Sequence, residues 1–222
     1  ALRRGRIARS GIPLMRAEGP LPPSRQRPKT SRQICTQVGA VSASAHVFYE
    51  LLSGVAMPFA SVIGPVPAAT GWGMSTAVVL RMAERADKRH EAVLGVVNGL
   101  FLTTVLAHFI HWPKRWRFGV PSLSECEGLC GPILVPYNGI LYISGLSAVA
   151  GLLENGRRGA VRVAIVPLLG VPVLLRLQRM EFRRLSLQAR RNPRWWNRRL
   201  QMQPPDRSTS SDPDRQVLGA ES

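Results

Sequence analysis

The chain has 222 residues, a formal net charge of +17 and a mean hydropathy of zero. That zero is a cancellation between arginine-rich ends and long uncharged runs in the middle, and runs of this length argue against an ordinary soluble domain. Three cysteines are too few for a disulfide framework; basicity of this size suits contact with anionic lipid heads or nucleic acid, while the predominance of Arg, 27 of the 30 basic residues, points to a GC-rich genome as much as to any function.

Residues 1–33 hold nine basic residues and five prolines, a mix that cannot bury a core and reads as a disordered basic tail. No apolar stretch with a small-residue cleavage site follows it closely, so no signal peptide is expected at residue 1. A first apolar helix builds from Ile34 or Ser44 to Gly64, where Gly64-Pro65-Val66-Pro67 breaks it. A shorter run over 68–82 makes a helical hairpin with it, and residues 81–91 form a charged loop. The third span, 92–112, and the fourth, 131–153, are each free of Asp, Glu, Lys and Arg and match the roughly 20 helical residues that cross a bilayer core. Between them lies a polar loop carrying Glu125, Cys126, Glu127 and Cys130. After a polar turn at 154–159 comes an apolar run over 163–175 that is too short to cross alone and contains Pro167, Gly170 and Pro172. It reads as a fifth span extended into its flanks, a re-entrant piece or a surface segment. From 174 to 191 the pattern is amphipathic. Leu174, Leu175, Leu177, Phe182, Leu185 and Ala189 share one face, against Arg176, Arg179, Arg183, Arg190 and Arg191 on the other, with Met180 and Leu187 falling on the basic side. Asn192-Pro193 should stop this helix before Arg194-Trp195-Trp196-Asn197-Arg198-Arg199.

The fold class expected is all-α, a polytopic membrane bundle of four (alternatively five) transmembrane helices plus a basic amphipathic C-terminal helix. Its parts are a tail over 1–33, a transmembrane domain over 34–175, a cytoplasmic segment over 176–200 and a disordered tail over 201–222. Basic residues number nine in the first tail, four in the loop at 81–91, three at 154–162 and nine at 176–200, against three in the loop at 114–130. With four spans only that last loop faces out, so the positive-inside rule places a multi-pass protein in the cell membrane with both termini cytoplasmic.

Several constellations stand out. His46 and Glu50, four apart, share a helix face inside an apolar span, where an ionisable residue is a functional candidate and otherwise a packing device. Glu50 is expected to face the bundle interior, near His46, His90 or Asn98. His108, His111, Cys126 and Cys130 offer four metal donors, although their spacing is not a usual zinc pattern. His46 opens the first span while His108 closes the parallel third span, so the two imidazoles are expected near opposite faces and not at one metal. Gly95-x3-Gly99, with Asn98 inside it, and Ser147-x3-Gly151 are small-residue pairs that let helices approach closely. Pro132, Pro136 and Asn138 would free backbone carbonyls near one end of the fourth span. Arg183, Arg184, Arg190, Arg191, Arg194, Arg198 and Arg199, with Trp195 and Trp196, should meet the membrane surface, with Leu177, Phe182 and Leu185 against acyl chains. No P-loop, dinucleotide fingerprint, nucleophile elbow or His-Glu-x2-His motif is present, which leans away from an enzyme, and no cofactor is expected.

The stretches Ser124-Glu-Cys-Glu-Gly-Leu-Cys-Gly-Pro, Pro136-Tyr-Asn-Gly-Ile-Leu-Tyr-Ile-Ser-Gly and Arg190-Arg-Asn-Pro-Arg-Trp-Trp-Asn-Arg-Arg resemble small multi-pass membrane proteins of unknown function from high-GC actinobacteria, over roughly residues 44–200. The resemblance implies no activity and lends no functional residue.

The leading functional expectation is a non-enzymatic membrane component or scaffold acting through helix contacts with itself or a membrane-protein partner. A small transporter or channel using His46, Glu50 and Asn98 comes second, and a membrane redox or metal-binding protein third. The partners expected are the bilayer and its anionic head groups. Arginines interleaved with tryptophan would also suit base stacking, but the apolar middle argues against a nucleic-acid binder.

Overall fold

The computed structural model describes residues 33–85, 88–154 and 156–202, and helix dominates them. Helices α1 (Ile34–Ser53), α2 (Ala60–Ile63), α3 (Pro65–Glu84), α4 (Lys88–His111), α5 (Leu134–Glu154) and α6 (Gly156–Arg191) enclose a connection that carries four short strands. Glycine and proline set the breaks. Gly54, at φ +80°, ends α1 by turning its N–H back to the carbonyls of Glu50 and Leu51. Gly64, at φ +84°, hands the chain to Pro65, which opens α3 at a position where its missing N–H costs nothing. The N-terminus of α1 is closed by another helix, because the Glu154 carboxylate accepts the N–H groups of Cys35 (3.0 Å) and Thr36 (3.4 Å).

Helix directions follow from which residues meet. Tyr49 of α1 reaches Ile133 beside the start of α5, while Cys35 reaches its end, so α1 and α5 are antiparallel. Gln33 donates its N–H to Ala83 (3.1 Å), which sets α3 antiparallel to α1. In α4 and α6, Thr103 lies against Gly170 and Trp112 against Phe182 (ring centroids 5.5 Å apart), so these two run in parallel. The bundle therefore has a Gln33 end and a Cys126 end. Five long helices run between them.

The connection at 112–130, read in the sequence as a polar loop, is two hairpins. Strands β1 (Lys114–Arg117) and β2 (Val120–Leu123) pair antiparallel with Arg117 opposite Val120, and β3 (Glu125–Cys126) pairs with β4 (Leu129–Cys130) with Cys126 opposite Leu129. Each turn is two residues with positive φ, Phe118-Gly119 and Glu127-Gly128, the geometry that matches strand twist. Asn138 of α5 stitches this cap on. Its Oδ1 accepts the Leu123 N–H at 2.8 Å and its Nδ2 donates to the Leu123 carbonyl at 3.2 Å, so it acts as a strand neighbour rather than as a kink.

The largest departure from the sequence reading is α6. The run at 163–175 and the amphipathic stretch at 174–191 are one helix of 36 residues, about 54 Å long. A domain boundary at 175/176 thus falls inside a continuous helix. Its last turns run past the end of α4 and cover the hairpins. Leu185 and Ala189, 5% and 0% exposed, pack with Leu123, Leu129 and Leu200. That apolar face meets protein where acyl chains were expected, although Leu177 stays exposed. The chain then folds back, with Ala56 donating to the Trp196 carbonyl (2.7 Å) and Arg199 to that of Gly54 (3.0 Å). Gln33 and Trp196 therefore lie at opposite ends of the bundle, and the nine arginines of 176–200 lie on from the hairpin side rather than with the loop at 81–91. The tails expected over 1–32 and 203–222 lie outside the described residues.

Among the described residues, two segments, His90–His111 and Gly131–Glu154, are long and apolar enough to cross a membrane.

Candidate functional site

Glu50 is 2% exposed, and its carboxylate is the hub of the site. The α1 helix brings His46 to it from one turn earlier, with Nε2 2.9 Å from Oε1. The α5 helix brings Tyr137, whose hydroxyl donates to the same oxygen at 2.6 Å and lies 2.9 Å from His46 Nε2, closing a triangle. The α4 helix brings His108, with Nε2 3.8 Å from Oε1 and its ring edge-to-face on His46 at 4.8 Å. From the cap, the Cys126 thiol reaches the Tyr137 hydroxyl at 3.5 Å. All five residues are buried.

The meeting of His46 and His108 corrects the expectation that they lie near opposite faces. α1 begins ten residues earlier than Ser44, so His46 sits past its middle instead of at its start. The parallel pairing of α1 with α4 is fixed lower down, where Asn98 Nδ2 donates to Thr36 Oγ1 at 2.8 Å. His46 and His108 each lie ten residues further on, about 15 Å along both helices, and so arrive level.

His108 is held in one sense. Its Nδ1 meets the Thr104 carbonyl at 2.7 Å, a contact that requires Nδ1 to donate. Its Nε2 is buried without a hydrogen-bond partner and faces Glu50. A buried polar atom left this way forfeits on the order of 1–3 kcal/mol, so its position calls for a ligand or a proton.

The cap supplies the electrostatic lid. Burial pushes the Cys126 thiol well above its ordinary range, with the charges of Glu127 and Glu50 adding to the effect. Glu127 is half-buried as a residue, yet dense packing round its carboxyl, followed by repulsion from Glu50, raises it to about 8. Negative charge beyond that of Glu50 is thereby disfavoured at this end of the site.

The other residues singled out in the sequence lie elsewhere. Asn98 is buried but serves Thr36, fourteen residues before Glu50 on α1, so it does not join His46 and Glu50 in one centre. Among the described residues, three metal-donor side chains converge at His46, Glu50 and His108. The set His108, His111, Cys126 and Cys130 does not assemble there: His111 rests on Trp112 (4.9 Å), Cys130 is exposed opposite Glu125, and Cys126 is opposite Leu129. The small residues are used within the chain. Gly95 and Gly99 are buried, a Cβ on Gly151 would come within 2.6 Å of Asn98, and Ser147 lies beside Gly39. Of the basic segment, Arg183, Arg184, Arg190, Arg191 and Arg194 are exposed with Trp195. Trp196 packs into the core, Arg198 leans on Gly54, and Arg199 Nε donates to the Ser53 carbonyl at 2.7 Å.

Sequence reasoning missed Tyr137 and the partnership of His108. Tyr137 carried a signal, a polar-tipped aromatic beside Asn138 in an otherwise apolar span. His108 carried none, because its role depends on helix register. No protein-family model, curated protein or solved structure matches this chain.

Proposed function

We propose that this chain is a multi-pass membrane protein with five crossing helices, whose work is done at the centre formed by His46, Glu50, His108 and Tyr137, where positive charge is held against a buried carboxylate. The observation that carries this reading is an inverted distribution of polarity. Thr36, His46, Glu50, Asn98, Thr103 and His108 are buried, while Val41, Met74, Leu100, Leu146, Leu169 and Val173 face outward. A water-facing bundle has the opposite arrangement, and within lipid an interior ionisable group marks function. Trp116 and Trp195, both exposed at the Cys126 end, suit an interface belt there, and the exposed arginines of α6 suit anionic head groups.

A scaffold reading draws less support, since the small-residue faces that would serve a partner are spent on packing within the chain. Two grooves, one of about 430 Å³ near Ser61 and Arg194 and one of about 500 Å³ between α4 and α6, lie away from Glu50. The centre is built to hold an ion.

Two measurements on the full chain test this. Washing membranes at alkaline pH should leave the protein in the pellet. Infrared difference spectra of wild type against Glu50→Gln should show loss of an ionised carboxylate band. Loss of a protonated carboxyl band instead would mean that the centre holds no charge, and the reading would fall.

A further inference from the structure

We propose that His46, Glu50 and His108 form a site for a divalent first-row metal ion, Zn2+ being the closest match to two imidazoles and one carboxylate, roofed by the Cys126 hairpin. This rests on the reading of the same centre as a holder of positive charge and names the ion.

The donor atoms of the three residues lie within 4.8 Å of one another. Donors round a tetrahedral Zn2+ with bonds of about 2.0–2.1 Å stand about 3.4 Å apart. His46 Nε2 and Glu50 Oε1, at 2.9 Å, are somewhat closer than this, and Glu50 Oε1 and His108 Nε2, at 3.8 Å, somewhat wider. The third edge, between the two imidazole nitrogens, is within 4.8 Å, so the three donors face a common point.

The second argument is the state of His108. Its Nδ1 donates to the Thr104 carbonyl, which leaves the Nε2 lone pair pointing at Glu50, and that nitrogen is buried without a hydrogen-bond partner. A backbone carbonyl on the far nitrogen is how a metal-ligating histidine is usually oriented and made more basic. Tyr137 plays the corresponding part for Glu50, because its hydroxyl steadies the carboxylate from outside the donor set. Thiolate is the donor the site lacks. Cys126 is close to Tyr137 but is not among the converging donors. The donor set is therefore nitrogen and oxygen, which suits Zn2+, Fe2+ or Co2+ over Cu+.

The chain has four histidines, so the test can be made selective. Full-length protein, freed of any affinity tag, is purified in detergent, stripped with a chelator and titrated with Co2+ and with Zn2+. About one ion should bind per chain, with cobalt ligand-field bands and no sulfur-to-cobalt charge-transfer band. The double variant His90→Ala/His111→Ala keeps only the two site imidazoles and should give the same spectrum. His108→Ala and Glu50→Gln should each weaken binding at least tenfold. Absence of stoichiometric binding, a charge-transfer band from Cys126, loss of the spectrum in the double variant, or undiminished binding by His108→Ala would each overturn the site. Where the His108 variant does not fold, the double variant decides alone. Failure here with an ionised Glu50 sinks only the metal, whereas metal bound by a protein that alkaline washing strips from membranes sinks the membrane reading and leaves the site.

Discussion

His46 and His108 stand edge to face with ring centroids 4.8 Å apart, and their sequence separation of 62 residues is the same as that between Thr36 and Asn98. Two parallel helices are thus pinned at two levels by matched pairs. The lower pair is a neutral hydrogen bond and the upper pair faces a carboxylate.

The upper level depends on Tyr137. Replacing it with Phe keeps the ring and removes the hydroxyl that donates to Glu50, leaving His46 as the hydrogen-bond partner of that oxygen. Tyr137→Phe should lower stability by about 1–3 kcal/mol, the range for removing one partner of a buried charged acceptor. Denaturant unfolding in detergent reads this directly, and an unchanged midpoint would show that the bond contributes nothing.

The lower level depends on space. A methyl group on Gly151 would lie 2.6–2.8 Å from the Asn98 side-chain amide. Gly151→Ala should cost about 1–3 kcal/mol through overpacking. Combining it with Asn98→Ala removes the obstruction, so the double variant should be less destabilised than the two singles together, by about 0.5–3 kcal/mol. Strict additivity would mean that the two residues do not touch.

Cys35 lies at the Gln33 end and Cys130, exposed, at the Cys126 end. Single-cysteine variants of each, treated with a membrane-impermeant thiol reagent, should be labelled from opposite sides of the membrane. Labelling of both from the same side would contradict an odd number of crossings between them.

Glu127 gives a pH test. Its carboxyl titrates near 8 in the folded chain, above its ordinary value of 4.5. The folded state therefore prefers the proton, and the residue's penalty is absent below about pH 4.5, grows as pH rises and is complete above about 8. Glu127→Gln should match wild type in thermal stability near pH 4.5 and exceed it at pH 8. Parallel pH profiles for the two proteins would show that the carboxyl is not perturbed.

The long apolar stretches were legible because hydropathy over twenty residues is a local property, and the third and fourth spans coincide with α4 and α5 to within a few residues. His46 and Glu50 were legible as a pair because both lie on one helix turn. What the sequence hid is non-local. Pro167 and Pro172 suggested an interruption, yet packing of α6 against α4, with Gly170 seated on Thr103, carries the helix through both. The hairpins had a signal in Gly119 and Gly128, each at the second position of a two-residue turn, but Lys114 to Arg117 alternates too weakly to read as a strand. The start of α1 mattered most. The sequence left that start open between Ile34 and Ser44, and it is Ile34: Glu154 and Ala83 receive the N–H groups at the entry to the helix, and neither contact can be seen from residues 34–43 alone.

The closure of α1 by Glu154, and of its centre by Tyr137 and His108, also sets an order of events on the ribosome. On the membrane reading, α1 enters the bilayer before α4 and α5 have been made. Until then Glu50 has one companion for its carboxylate, the imidazole one turn away on the same helix. The His46–Glu50 spacing lets a helix that carries an acid be inserted with its charge already answered, and the partners from later in the chain inherit a neutralised group. On the membrane reading, His46 is then the first group to meet the Glu50 carboxylate, before the finished centre forms. Its removal should cost yield at the stage of biogenesis, before any mature protein exists to be destabilised.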